Sequence, residues 1–308
     1  MAVNLNVTYI ILGGHVDVQR YRYLYFLIML TAYILIICCN ASIVSLIVIH
    51  KNLHEPMYIF IAALLINSVL FSTNIYPKLL IDFLLEKQII SYQACLFQAF
   101  TFHTLSISEF LLLAAMSYDR YVSICKPLQY PTIMRTTTVS IFLVLAWLVP
   151  ACHVAVPVIW TINTKICNFT LKSIFCNSAV GSMFCDNSLI FSIYALVVFS
   201  NIGLCPMLFI LFTYTKILLV AYKSSAEVRN KASQTCLPHL LVLINYSCLL
   251  TYDVILIRVE SDFPVVAQLV MTLQIITYHP LFNPVIYGLK MKEITKHLKR
   301  LLCQDKVK

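Results

Sequence analysis

Apolar residues in this chain gather into seven long runs, near 23–49, 57–80, 95–119, 138–160, 189–215, 234–257 and 265–288. A hydrocarbon layer about 30 Å thick takes roughly 20 helical residues to cross, and every run is that long. In lipid there is no water to satisfy backbone N–H and C=O groups, so each run is predicted to be a helix. The second and fifth runs are the least regular. Lys78 sits near one end of the second, and Pro206 interrupts the fifth, where a proline is predicted to kink the helix locally. No internal repeat of the kind that builds transporter halves is present.

Composition agrees with this pattern. Hydrophobic residues make up 60% of the chain and charged residues 11%, with a mean hydropathy of +0.86; a soluble domain is nearer about half apolar and a quarter charged. The 308 residues could hold two soluble domains, but five glycines and the lack of a long polar stretch leave no linker. The expectation is an all-α membrane protein, a seven-helix bundle forming one domain over 1–308, with 1–22 ahead of the first span and 289–308 behind the last.

Charge orients the bundle. Fifteen of the 22 Lys and Arg residues fall on the side that holds the C-terminus and seven on the other. With five acidic residues on the first side and seven on the second, the sides carry +10 and 0, and Glu109 inside a span returns the total to +9. Basic residues mark the cytoplasmic side, so residues 1–22 are expected outside and 289–308 in the cytoplasm of a plasma-membrane protein. The positive balance then reflects an anionic inner leaflet, with membrane lipid as the partner rather than nucleic acid. The opening residues MAVNLNVTYIILGG lack a basic start and a small-residue cleavage site, so the first span is expected to act as an uncleaved anchor. Asn6-Val7-Thr8 and Asn168-Phe169-Thr170 are sequons on the outer side, so Asn6 and Asn168 are glycosylation candidates.

Four of the 12 cysteines, Cys95, Cys167, Cys176 and Cys185, fall on the oxidising outer side, which suggests two disulfides, with three pairings open to sequence. Cys303, close to Lys299 and Arg300, is a candidate for palmitoylation, with a plain thiol as the alternative.

The densest motif is Met116-Ser117-Tyr118-Asp119-Arg120-Tyr121-Val122-Ser123-Ile124-Cys125-Lys126-Pro127-Leu128, at the inner end of the third run. An arginine at the membrane boundary is costly unless paired, and Asp119 is its neighbour. In the seventh run, Pro280-Leu281-Phe282-Asn283-Pro284-Val285-Ile286-Tyr287 sets an amide before a proline; the proline frees a backbone carbonyl that nearby polar groups can satisfy. Asn40 is a plausible member of that polar core. Glu109 lies eleven residues before Arg120, about three helical turns and some 16 Å along one face. A carboxylate at that depth by default marks a functional site.

Together with Leu53-His54-Glu55-Pro56-Met57-Tyr58, the stretch from Lys231 to Leu240, and Trp147, these segments resemble, in order and over essentially the whole chain, the olfactory receptors. Those form a branch of the class A G-protein-coupled receptors. The resemblance implies an odorant as ligand, a stimulatory G protein as partner, cyclic AMP as output, and no prosthetic cofactor. It assigns coupling and switching to Asp119, Arg120, Tyr121, Tyr214, Asn283, Pro284 and Tyr287, with Arg120 held by Asp119 at rest and turning toward Tyr214 and Tyr287 on activation. It pairs Cys176 with Cys95 and Cys167 with Cys185, and adds a short amphipathic helix after the seventh span. It places a ligand pocket in the outer third, with Phe102, His103, Ser106, Tyr252, Asp253, Gln268 and Thr272 as candidates. It also implies a polar pocket around Glu109 able to hold a cation. Here the sequence departs, because Asn67 and Ser68 stand where the family carries an Asp; a cation and a protonated Glu109 both stay open. Asn67-Ser68, Tyr246-Ser247 and the loop-cysteine spacing look more like the fish branch, which suggests water-borne odorants.

No GxSxG, HExxH or P-loop supports an enzyme. The nearer alternative is a class A receptor for a peptide or amine, but Phe102 and His103 offer no Asp for an amine, and the Cys-Trp-x-Pro usual in helix six is absent.

Overall fold

The computed structural model describes residues 8–14, 18–162, 164–185, 193–194, 197–223, 236–237, 240–244, 246–248, 265–291 and 293–298. In chain order these form strand β1 (Tyr9–Leu12), helices α1 (Val18–Ile49) and α2 (Pro56–Leu84), strand β2 (Ile89–Ser91), helices α3 (Tyr92–Cys125) and α4 (Thr136–Thr161), and strand β3 (Thr170–Leu171). Helix α5 (Cys205–Tyr222) follows, then α6, helical at 236–237, 240–244 and 246–248, and α7 (Val265–Lys290). Residues 293–298 are helical again beyond α7. Among the described residues five helices are long and apolar enough to cross a membrane, including Tyr21–Ile49 and Ser200–Tyr222.

The helices overrun the apolar runs that announce them. α3 is 34 residues long, about 51 Å, and continues past Asp119 to Cys125. The hydrocarbon ends before the hydrogen-bond ladder does, and polar residues carry the ladder into the interface. Asp82, expected beyond the second span, sits inside the end of α2 with its side chain fully buried against Lys78 one turn back. The irregularity predicted at Pro206 takes a definite form. The helix runs into Pro206 without a break, and the turn directly before it is a π-helical stretch over Phe199–Leu204. A proline cannot donate to the preceding turn, and a wider turn re-routes the bonds around that gap.

α3 is the central post. It packs against α2, α4 and α5, while α7 packs against α1 and α2. Three apolar clusters fill the bundle: one around Leu113, Met116, Tyr214 and Tyr287, one around Phe71, Tyr76, Phe102 and Ile276, and one under the sheet. The outward faces of α1, α4 and α5 carry Leu24, Leu27, Leu145, Leu148, Leu208 and Phe212, all exposed. Large apolar groups facing outward on several helices suit lipid rather than water.

The end of the bundle that carries the strands is not purely helical. β1 lies between its partners, in the order β2-β1-β3, antiparallel to β2 with Ile10 opposite Ile90, and parallel to β3 with Leu12 beside Leu171. Period-two alternation turns Ile10 and Leu12 into the cluster of Leu96, Leu171, Val180 and Met183. The chain then passes so close to the following loop that a Cβ on Gly14 would lie 2.5 Å from the Ser173 carbonyl carbon. Gly14→Ala is therefore expected to cost about 1–3 kcal/mol through forced backbone shifts. Thermal unfolding of the purified protein reads this directly, and an unchanged melting temperature would show that the two backbones can separate freely.

Candidate functional site

Two polar clusters lie along α3. At its far end from the sheet, the Asp119 side chain is fully buried and bonded on both oxygens. Arg120 donates from Nε to Oδ2 at 2.9 Å, with its Nη2 on the same oxygen, while the Tyr130 hydroxyl donates to Oδ1 at 2.8 Å. Tyr130 comes from the one-turn helix Tyr130–Ile133 that follows α3. Burial, then the neighbouring Asp119 carboxylate, pushes its phenol well up, so it stays protonated as a donor. Tyr121 is half-buried beside this cluster, and Tyr214 of α5 and Tyr287 of α7 are buried in the adjoining core. Among the described residues the Tyr214 hydroxyl has no hydrogen-bond partner.

Three turns toward the sheet, Glu109 is almost completely buried. Its Oε1 accepts from Asn283 Nδ2 at 2.9 Å and lies 2.6 Å from His279 Nε2. Asn283 also donates to Ser68 Oγ at 3.1 Å, joining α7 to α2 and α3. Pro284 leaves the carbonyl of Pro280 without its helical donor, and Asn40 Nδ2 reaches that oxygen at 3.0 Å. Asn40 thus meets the freed carbonyl, while the Asn283 N–H groups go to Glu109 and Ser68 and, among the described residues, its Oδ1 has no partner. Asn67, the other departure in helix two, donates to Leu105 O at 3.0 Å and accepts from Trp147 Nε1 at 3.1 Å, tying α2, α3 and α4 together.

Nearer the sheet, the pocket candidates divide. Phe102 is buried against Phe71 and Phe175, and the Ser106 hydroxyl is spent on Phe102 O in its own helix. The Ser106 carbonyl accepts from Tyr246 of α6 at 2.8 Å. His103 and Thr272 are half-buried. Tyr252, Asp253, the Gln268 side chain, Asn6 and Cys303 lie outside the described residues. A groove of about 450 Å³ between α3, α4 and α5, floored by Ala114, Ala115 and Ala146, is nearly all apolar. It sits on the face of α3 opposite Glu109 and takes in none of these candidates.

At the sheet end Cys95 is bonded to Cys176 and Cys167 to Cys185. The first joins the start of α3 to the loop after α4, and Gln98 Oε1 accepts from Cys176 N at 2.9 Å beside it. Asn168 is exposed at the rim, its Oδ1 accepting from Thr170 N at 2.9 Å.

Sequence reasoning passed over three partners. His279 was findable: it is the one histidine in an apolar run without Asp, Glu, Lys or Arg, four residues before Asn283 and so on the same face. Tyr246 had weaker signs, and nothing in the spacing from Asp119 to Tyr130 announces their bond.

A helical bundle with lipid-suited faces, a boundary Asp-Arg pair and a buried polar core around Asn283-Pro284 defines the class: a multi-pass membrane receptor of the G-protein-coupled kind. Comparison with known proteins makes the family definite. The pattern that defines the olfactory receptors matches residues 29–305, and the chain belongs to that family of odorant-sensing receptors, not to an enzyme family. It is 32% identical to olfactory receptor 11A1 of Homo sapiens over 97% of this chain and 95% of that one. It is 30% identical to olfactory receptor 13C2 of Homo sapiens, covering 94% and 93%, and 32% identical to olfactory receptor 4B13 of Mus musculus, covering 96% of each.

Proposed function

We propose that this receptor takes a small odorant between α3, α6 and α7 on the sheet side of Glu109, and that binding drives a stimulatory, olfactory-type G protein to raise cyclic AMP. The sheet end faces outward and the Arg120 end faces the cytoplasm. The observation that carries this reading is the Tyr214 hydroxyl, unmatched among the described residues and buried near an arginine that is held elsewhere. A buried hydroxyl without a partner costs about 1–3 kcal/mol, and an arginine released from Asp119 can supply that partner. The bundle therefore has two packings with different polar matches, which is how small shifts become a switch. Ligand binding that favours the second packing shifts the population toward it.

The test is a cyclic AMP assay in cells expressing the chain with an olfactory G protein, challenged with pooled volatile and water-soluble odorants. A pool that raises cyclic AMP only in receptor-bearing cells is the expected result. Silence across all pools from a chain shown at the surface would count against an odorant ligand or this G protein.

A further inference from the structure

The resemblance implies a cation beside Glu109, and the residues around Glu109 do not fit one. A hard cation in a dry core needs several oxygen ligands and compensating negative charge. On α2 the facing side chain is Ser68, a neutral hydroxyl that accepts from Asn283 and donates to Leu64 O. Glu109 Oε1 is already met by the Asn283 amide and by His279 Nε2 at 2.6 Å. The groups that meet this carboxylate oxygen are nitrogens, and the unpartnered Asn283 Oδ1 among the described residues adds one oxygen where a hard cation needs several.

Among the described residues no second carboxylate comes close along α2 or α3. Asp82 is fourteen residues beyond Ser68 on α2 and bonded to Lys78, about 21 Å away along the axis. Asp119 is ten residues beyond Glu109 on α3 and held by Arg120 and Tyr130. Among the described residues no three His, Cys, Asp or Glu side chains gather as metal ligands do.

The imidazole is held from several sides. The Tyr246 ring of α6 lies 4.3 Å from it, tilted by 39°, and the Phe71 ring of α2 meets it edge-on at 6.3 Å. Both His279 and Glu109 are almost completely shielded from solvent.

We propose that His279 takes the place on Glu109 that a cation would take, so that the α3–α7 link in this receptor is carried within the chain and is indifferent to sodium. A cation-bridged core would tighten or loosen with the salt around it. This one has its strength written into a side chain. The inference does not depend on the odorant reading, because it concerns the unliganded bundle.

The test follows thermal unfolding of the purified receptor in sodium chloride and in choline chloride at matched ionic strength. The wild-type melting temperature is expected to be the same in both. The double variant Ser68→Asp, His279→Asn restores a second carboxylate and vacates Glu109. It is expected to melt roughly 2–4 °C higher in sodium than in choline, rising to a plateau as a bound ligand requires. A saturable sodium-specific rise in the wild type would overturn the proposal, and so would a folded double variant that ignores sodium. Should the double variant not fold, the wild-type comparison decides alone. The readout is stability, so a failure here stays distinct from a failure to respond to odorants.

Discussion

Replacing Arg120 by Ala is expected to reduce the cyclic AMP response by more than about tenfold, the factor that 1.4 kcal/mol of lost coupling brings, while most of the protein still reaches the surface. Arg120 supplies two of the bonds to Asp119, but the Tyr130 hydroxyl covers the other carboxylate oxygen. The arginine side chain itself keeps 13% of its surface exposed. Water can therefore reach the vacated position, which moderates the cost of leaving a buried acid without its ion partner. What the variant loses is the group that could move to Tyr214, whose hydroxyl is otherwise unmatched among the described residues. Arg120→Lys should fall between, because it keeps the charge but not the planar fork. Dose–response curves beside surface labelling decide the matter. A fully responsive Ala variant at wild-type surface density would remove Arg120 from the switch.

The second large effect is expected at Cys95. Cys95→Ser and Cys176→Ser should each cut surface delivery to a small fraction of wild type, as read by flow cytometry. The bond closes a separation of 81 residues, for which chain entropy gives about 4.5 kcal/mol, a large part of a typical folding free energy. Combining the two substitutions should add little to either alone, since both remove one bond. Cys167→Ser should be milder: that pair spans 18 residues, worth about 3 kcal/mol on the same reasoning. Normal delivery of both Cys95→Ser and Cys176→Ser would show that this tie is dispensable.

How much of this was legible beforehand depends on the range of the interaction. The helices were, because a membrane-crossing helix needs an uninterrupted apolar run and its backbone can bond only to itself. The Asp119–Arg120 pair was, because its members are adjacent. So was a polar group for the carbonyl freed by Pro284, since the missing N–H is a local fact, although the exact partner of Asn40 was not. The contact between His279 and Glu109 crosses 170 residues of chain, and only packing decides which turn of α7 faces which turn of α3. The strands were missed for another reason. β1, β2 and β3 are four, three and two residues long, too short to show a period. The π stretch before Pro206 was hidden too, because a proline announces a missing donor but not how the turn before it adjusts.

The placing of β1 between β2 and β3 has a consequence for synthesis. The ribosome makes Tyr9–Leu12 before either neighbour: one is not made until Ile89 and the other not until Thr170. The strand must wait through the emergence of four helices, and its parallel edge at Thr170–Leu171 can close only after α4 is complete. The cap at this end is thus the last reader of the first half of the chain. It joins residues ahead of α1 to a loop that exists only when α1 to α4 have all been delivered, and a ribosome halted before residue 170 leaves the strand paired along one edge alone.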